Sequence, residues 1–283
     1  DHDFLHEMSS MWFEDLIVSE CNDYLSFADA LSYSIFNNPT QKFDGSDLTS
    51  SQSSANFGYS MALFLHYLSS QFEQIIVREI WERYSLGGNA REAIIQTIED
   101  DFEGSFAEAW TDFISSNMLC GYYDYFNEEV YYYSDQQYLN PIETDFSDYV
   151  FSESSELYLI EIDPYSVSVL ALGIMEDMLV NINFSDFEDF KGHYSIAPSM
   201  HNSIDNTLLE AELSSGNKLN ILLTAVSTDA EINLLFDSED VPNQEFEVSS
   251  IYPNPLIQNK SFIIQIENNF IITGFNIQIY NIL

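Results

Sequence analysis

The spacing of apolar residues changes once along this chain, and that change limits its fold more than any single motif does. Up to about residue 140 they recur at helical spacing. Phe4, Leu5, Met8, Met11, Trp12 and Leu16 mark one face, Tyr24, Leu25, Phe27, Ala28, Leu31 and Ile35 a second, and Phe57, Met61, Phe64, Leu65, Leu68 and Phe72 a third. A period near 3.6 is that of amphipathic helices. Between about 150 and 245 the period falls to two. Leu157-Tyr158-Leu159, Val167-Ser168-Val169, Val180-Asn181-Ile182-Asn183-Phe184 and the stretches 209–213, 219–223 and 232–236 read as short strands. Such strands, separated by turns like Ser215-Gly216-Asn217, suggest an antiparallel sandwich. The expected fold class is therefore α+β and multidomain, with a helical region at 1–140, a β-sandwich at 150–240 and a third region at 248–283.

Local signals punctuate the helical region. Asn22 or Asp23 is a candidate N-cap for the second helix, which Asn37-Asn38-Pro39 ends. Residues 38–56 read as a polar loop. Its Asp44-Gly45-Ser46-Asp47 suggests calcium, but it lacks the acid spacing and closing Glu of an EF-hand and reads as a turn. Gly87-Gly88 stops a helix, Asn89 caps the next, and Ser105-Phe106-Ala107-Glu108 is a capping box opening another. The tyrosine-rich stretch 122–138 reads as an amphipathic cover over the core.

Charge narrows the partners. The chain of 283 residues carries 47 acidic and 7 basic side chains, a net −40 at pH 7, with the acids spread over both halves. Phosphate backbones need clustered Lys and Arg, so nucleic acid is excluded as a partner. No run of 18 apolar residues occurs, so no transmembrane helix is expected. Cys21 and Cys120 are too few for a disulfide framework; one bridge or two buried thiols remain open. His193 and His201 have no third ligand near them in sequence and read as surface residues.

Chemistry concentrates in the first helix. Glu7-x-x-Ser10-x-Trp12-x-Glu14-Asp15, followed by Cys21-Asn22-Asp23-Tyr24, resembles a family of secreted bacterial zinc metallopeptidases. In that family a His-Glu-x-x-His helix precedes a second helix of this form, and the resemblance implies that Glu7 is the third zinc ligand. Glu14 or Asp15 would then orient a ligand from behind. The histidine pair and the general base are not matched here, so residues before Asp1 are expected to supply them. His2-Asp3-Phe4-Leu5-His6 does present histidines at i and i+4, but with Asp in place of Glu and no spacer before Glu7. Residues 56–60, leading into Leu63-Phe64-Leu65-His66-Tyr67-Leu68, resemble the same family, and Tyr59 or His66 is a candidate to stabilise an oxyanion.

The C-terminal stretch carries a second resemblance. Ile251-Tyr252-Pro253-Asn254-Pro255, then Phe262-Ile263-Ile264-Gln265-Ile266 and the strand-like run 275–283, is similar to the start of a type IX secretion sorting domain, a small Ig-like sandwich. Only part of that pattern is present. The polar segment Asp237-Ser238-Glu239-Asp240-Val241-Pro242-Asn243 is expected to link it to the sandwich. Together these resemblances imply part of a secreted or cell-surface zinc endopeptidase of a Gram-negative bacterium, acting on protein or peptide substrates and exported by the type IX machinery. Zn2+ is the implied cofactor and Ca2+ a second candidate. The alternative is a non-catalytic surface protein that attaches through its sandwich.

Overall fold

In a computed structural model of the chain, residues 2–18, 23–118, 138–142, 144, 147–149, 156–197, 200–240, 248–252 and 263–266 are described. Helices come first: α1 (His2–Ile17), α2 (Asp23–Ala30), α3 (Ser51–Ser60), α4 (Ala62–Phe72), α5 (Ile75–Ser85), α6 (Ala90–Gln96) and α7 (Phe106–Asn117). Strands follow, so the class is α+β. Buried Phe4, Leu5, Met8 and Trp12 of α1 pack on α3 and α4, with the Phe4 and Phe57 rings 6.1 Å apart. α4 is the centre of the helical layer. Its residues from Ala62 to Leu68 are all buried, and Phe64 meets Trp110 at 5.2 Å and Phe113 at 5.1 Å on α7.

Side-chain capping explains where several helices begin and end. Asn89 and Ser105 accept the backbone N–H groups of Glu92 and Glu108, as their sequence positions predict. The second helix stops at Ala30 instead of running to Ile35. There Ser34 Oγ donates to the Ala28 carbonyl at 2.5 Å and Asn37 Nδ2 to the Leu31 carbonyl at 3.0 Å, taking acceptors that a longer helix would use. Conversely, the loop expected through residue 56 ends early, because Ser50 caps α3 by accepting from Ser53 N–H at 3.0 Å. The stripe from Phe57 to Phe72 spans two helices, broken at Met61.

The strands are β1 (Ser147–Tyr149), β2 (Glu156–Ile162), β3 (Ser168–Ile174), β4 (Met178–Phe184), β5 (Phe190–Ala197), β6 (Met200–Ser203), β7 (Leu208–Leu213), β8 (Lys218–Ala225), β9 (Ala230–Asp240), β10 (Val248–Tyr252) and β11 (Ile263–Ile266). One sheet has the order β1-β3-β8-β5-β6 and a second the order β2-β9-β4-β7. All pairs are antiparallel except β1 with β3, which is parallel. A core of alternate residues fills the space between the sheets. Leu172, Phe190, Leu219, Ile221 and Leu223 come from the first sheet, and Val180, Ile182, Leu213, Leu234 and Phe236 from the second.

The first sheet is covered on its other face as well, by the helices. Leu222 and Val167 belong to the helical core, and Val169 packs against it. Register brings Val169, Leu222 and His193 side by side, and Ala171, Asn220 and Ser195 beside them. β8 is buried at every position from Leu219 to Ala225, as a strand covered on both faces must be. The hydroxyls of Thr111 on α7 and Thr224 on β8 are hydrogen-bonded at 2.8 Å, Phe43 N–H donates to Tyr165 O at 2.9 Å, and Lys42 meets Asp163 at 2.8 Å. The expected boundary between 140 and 150 is thus crossed by buried contacts, and residues 1–240 form one compact unit.

Two expectations need correction. Asp237 to Asp240 is not a linker; it is the end of β9, paired with Asn181 back to Met178 of β4. His193 is not a surface residue. It lies on the helix-facing side of β5 and is 6% exposed. In the second unit, Val241–Leu283, the described strands β10 and β11 pair antiparallel from Val248↔Ile266 to Tyr252↔Ile263 with an irregularity near Ser250. Cys21, Cys120, residues 122–137 and the rest of the proposed sorting segment lie outside the described residues, as does the side chain of His201.

Candidate functional site

The residues singled out near the N-terminus come together where α1 crosses α3 and α4. The crossing is close because of Gly58. A Cβ there would lie 2.8 Å from the Phe4 carbonyl oxygen and 3.2 Å from Glu7 Cβ, so no larger residue lets the two helices approach this far. One residue on, the Tyr59 phenol is directed toward the Glu7 carboxylate as its hydrogen-bonding partner. That accepted bond, followed by burial and the carboxylate's charge, holds the Tyr59 phenol above its ordinary value. Glu7 keeps about a fifth of its side chain exposed, at 22%, and His6 Nδ1 lies 3.5 Å from its Oε1.

Two turns along α1, Asp15 meets α4. Its Oδ2 lies 3.3 Å from Nε2 of His66, and both side chains are largely buried, with Tyr24 at 5.6 Å from the imidazole. Burial pushes the His66 imidazole down to about 4, while the Asp15 carboxylate beside it favours the charged ring. Glu14 is exposed. The structure therefore forms two polar couples from the predicted set, Glu7 with Tyr59 and Asp15 with His66.

Among the described residues, no group of three or more His, Cys, Asp or Glu side chains is placed to hold a metal ion. Glu7 alone does not fit zinc, which takes three protein ligands in a catalytic site. The calcium-suggestive loop is also accounted for otherwise: Asp44 accepts from Ser46 N–H at 3.0 Å and pairs with Arg91 at 3.2 Å. Beside His6, between α1 and α5, runs a groove of about 390 Å³ lined by Trp12, Phe13, Val77 and Trp81 among others. A larger open depression of about 790 Å³ between α5 and α6 contains none of the predicted residues.

A further cluster was not legible in the sequence. Tyr67 donates to Asp112 Oδ2 at 2.7 Å, and Asp112 Oδ1 lies 3.7 Å from Nδ1 of His193. Burial, then the Asp112 charge, raises the Tyr67 phenol far above its ordinary value, which keeps it a donor. These three residues come from α4, α7 and β5, distant in sequence and without a shared motif. The cluster ties the helical layer to the first sheet.

No helix among the described residues is long and apolar enough to cross a membrane. No protein-family description matches the chain. No curated protein matches it either. Solved structures show partial likeness. A mutant of the periplasmic g-type lysozyme inhibitor PliG from Escherichia coli is 14% identical, covering 32% of this chain and 96% of that one with a TM-score of 0.26. PliG from Salmonella Typhimurium is 10% identical, with coverage of 34% and 100% and a TM-score of 0.27. The pre-peptidase C-terminal domain of a Bacillus anthracis collagenase is 8% identical, with coverage of 34% and 99% and a TM-score of 0.23. Likeness at that level carries no argument about what this chain does.

Proposed function

We propose that the helical layer is part of a secreted zinc metallopeptidase that cleaves proteins or peptides, with Glu7 as one metal ligand. The observation that supports this reading best is the Tyr59–Glu7 couple at the Gly58 crossing. A carboxylate held in one orientation by a phenol, on a helix buried along its other face, is a pre-oriented ligand. Zinc, when bound, would supply an activated water at neutral pH. In this chain Tyr59 fixes the Glu7 carboxylate, and Asp15 and His66 fix α1 against α4. The remaining ligands and the base would come from residues preceding Asp1, and the stretch from 248 would address the protein to type IX secretion. On this reading residues 1–283 by themselves do not cleave casein in the presence of Zn2+. In the complete protein, Glu7→Gln removes bound zinc and activity while leaving the circular dichroism spectrum intact. Retention of both zinc and activity in that variant would end the assignment.

A second reading rests on a specific surface. The outer face of the second sheet carries a register row in which Leu157 pairs with Leu235, Leu235 with Asn183, and Asn183 with Leu208. All three leucines are exposed, and Leu159 lies beside them on β2. Exposed apolar patches mark contact surfaces. A non-catalytic attachment protein would lose attachment on Leu157→Asp or Leu235→Asp and keep it on Glu7→Gln.

A further inference from the structure

The first helix carries an arrangement that the peptidase reading does not use. His2 and His6 stand one turn apart on α1, at the spacing that places side chains on one face. Their rings stack with centroids 5.7 Å apart and planes within 18°. Both are open to solvent, at 62% and 53% of their side-chain area. Each imidazole also has the carboxylate of the following residue beside its Nδ1. His2 Nδ1 lies 3.5 Å from Asp3 Oδ1, and His6 Nδ1 lies 3.5 Å from Glu7 Oε1. A small rotation turns either contact into a hydrogen bond. That leaves Nε2, on the far side of each ring, as the nitrogen available to a ligand.

We infer that His2 and His6 form a two-imidazole chelate for a borderline divalent ion of the Zn2+ or Ni2+ type. Such ions prefer imidazole nitrogen and take it at about 2.0–2.1 Å, which requires the two nitrogens roughly 3 Å apart. Neighbouring rings on a rigid helix reach that separation by small side-chain rotations. The helix is rigid here because Phe4, Leu5 and Met8 between and beyond the two histidines are buried. Asp3 and Glu7 act through the rings: a carboxylate accepting the other ring N–H orients a ligating histidine and raises its basicity. They also offset the partial positive charge of the helix start, where His2 sits. The chain's net charge of −40 concentrates cations around the molecule without selecting among them, and selection falls to the imidazoles. This site uses Glu7 only to orient His6, so it stands whether or not that residue ligates a catalytic zinc.

Trp81 supplies a local reporter. Its ring meets His2 edge-on at 6.4 Å, and its indole N–H donates to Ser9 Oγ at 2.9 Å, which holds it in place. The test is calorimetric titration of the chain, with its N-terminal amine acetylated, with NiCl2 in a large excess of Mg2+. The hard Mg2+ ion occupies carboxylates and leaves imidazoles free. One Ni2+ per chain should bind, with quenching of tryptophan emission that Trp81→Phe removes. His2→Asn and His6→Asn should each weaken binding about tenfold or more, the double variant no further, and His201→Asn should have no effect. Circular dichroism confirms that these exposed substitutions leave the fold unchanged. Binding that vanishes in Mg2+, or that survives either single histidine substitution at full affinity, would overturn the inference.

Discussion

The buried imidazole of His66 gives the sharpest single-residue expectation. Its folded value near 4 lies below the ordinary 6.5, because burial disfavours the charged ring. Unfolding lets the ring bind a proton anywhere between those values, so the unfolded state holds more protons there and stability falls as pH drops from 6.5 to 4. The full effect is about 3 kcal/mol. Urea unfolding of His66→Gln should therefore show a flatter acid limb than the parent, whatever its stability at pH 7. A steeper limb would mean that Asp15 at 3.3 Å keeps the ring charged in the folded state. Tyr59→Phe gives a second expectation: Glu7 loses its donor, and stability falls by about 1–2 kcal/mol, measured by the same unfolding at pH 7. At this scale local patterns single out Glu7, Asp15, Tyr59 and His66 as residues, but not that they meet as two couples across helices. Asp112 and His193 belong to no local pattern at all, so neither they nor their contact could be read in advance. Asp44 sits in the turn its sequence suggests, but its pairing with Arg91, 47 residues on, could not be read from that local pattern.

Elements succeed or fail here by how many of their faces are covered. The helical stripes were readable because one face is apolar and the other wet. β4 and β9 were readable for the same reason, with Met178, Val180, Ile182 and Phe184 buried and Leu179 and Asn183 turned out. β5 was invisible, since Phe190-Lys191-Gly192-His193-Tyr194-Ser195 shows no alternation. Its two faces meet different layers, one apolar and one carrying His193 and Ser195 against α7. Gly192 adds to the disguise, leaving room for Leu223 and Ile204, whose atoms would lie 2.8 and 3.0 Å from a Cβ. The same accounting makes Gly58 the most sensitive point of the helical layer. Gly58→Ala places a Cβ against backbone that cannot swing aside, and overpacking of that kind costs about 1–3 kcal/mol. A helix-propensity gain of about 1 kcal/mol would favour the alanine if the crossing were loose. A thermal melt decides between them, and the expected outcome is a lower midpoint.

At the scale of the whole molecule, the periodicity switch was legible and the shared middle layer was not. A change from helix to strand reads naturally as a domain boundary. Here it marks the step from one layer to the next within a single unit, because the first sheet has an apolar core on one side and helices on the other. The sequence signal for this was present in Leu219-Asn220-Ile221-Leu222-Leu223-Thr224-Ala225, nearly continuous where a one-sided strand would alternate. Few basic residues exist to join the layers, and two of the seven, Lys42 and Arg91, both stand over the Tyr165 ring at the junction, at 5.8 and 4.4 Å. If residues 1–240 are one cooperative unit, the layers must unfold together. The three tryptophans, Trp12, Trp81 and Trp110, all lie on helices, so their emission follows the helical layer alone. Amide infrared absorption near the β-sheet band follows the sheets. The two midpoints should coincide in urea. Leu222→Ala, which opens a cavity on the helix side of β8, should lower both by the same amount, about 2–5 kcal/mol. Separate midpoints, or a substitution that moves only the tryptophan signal, would mean that the helices and the sheets fold apart and that the contacts between them are docking between finished domains. The same experiment at higher salt should raise both midpoints together, since screening relieves a net −40 that is spread across the two layers.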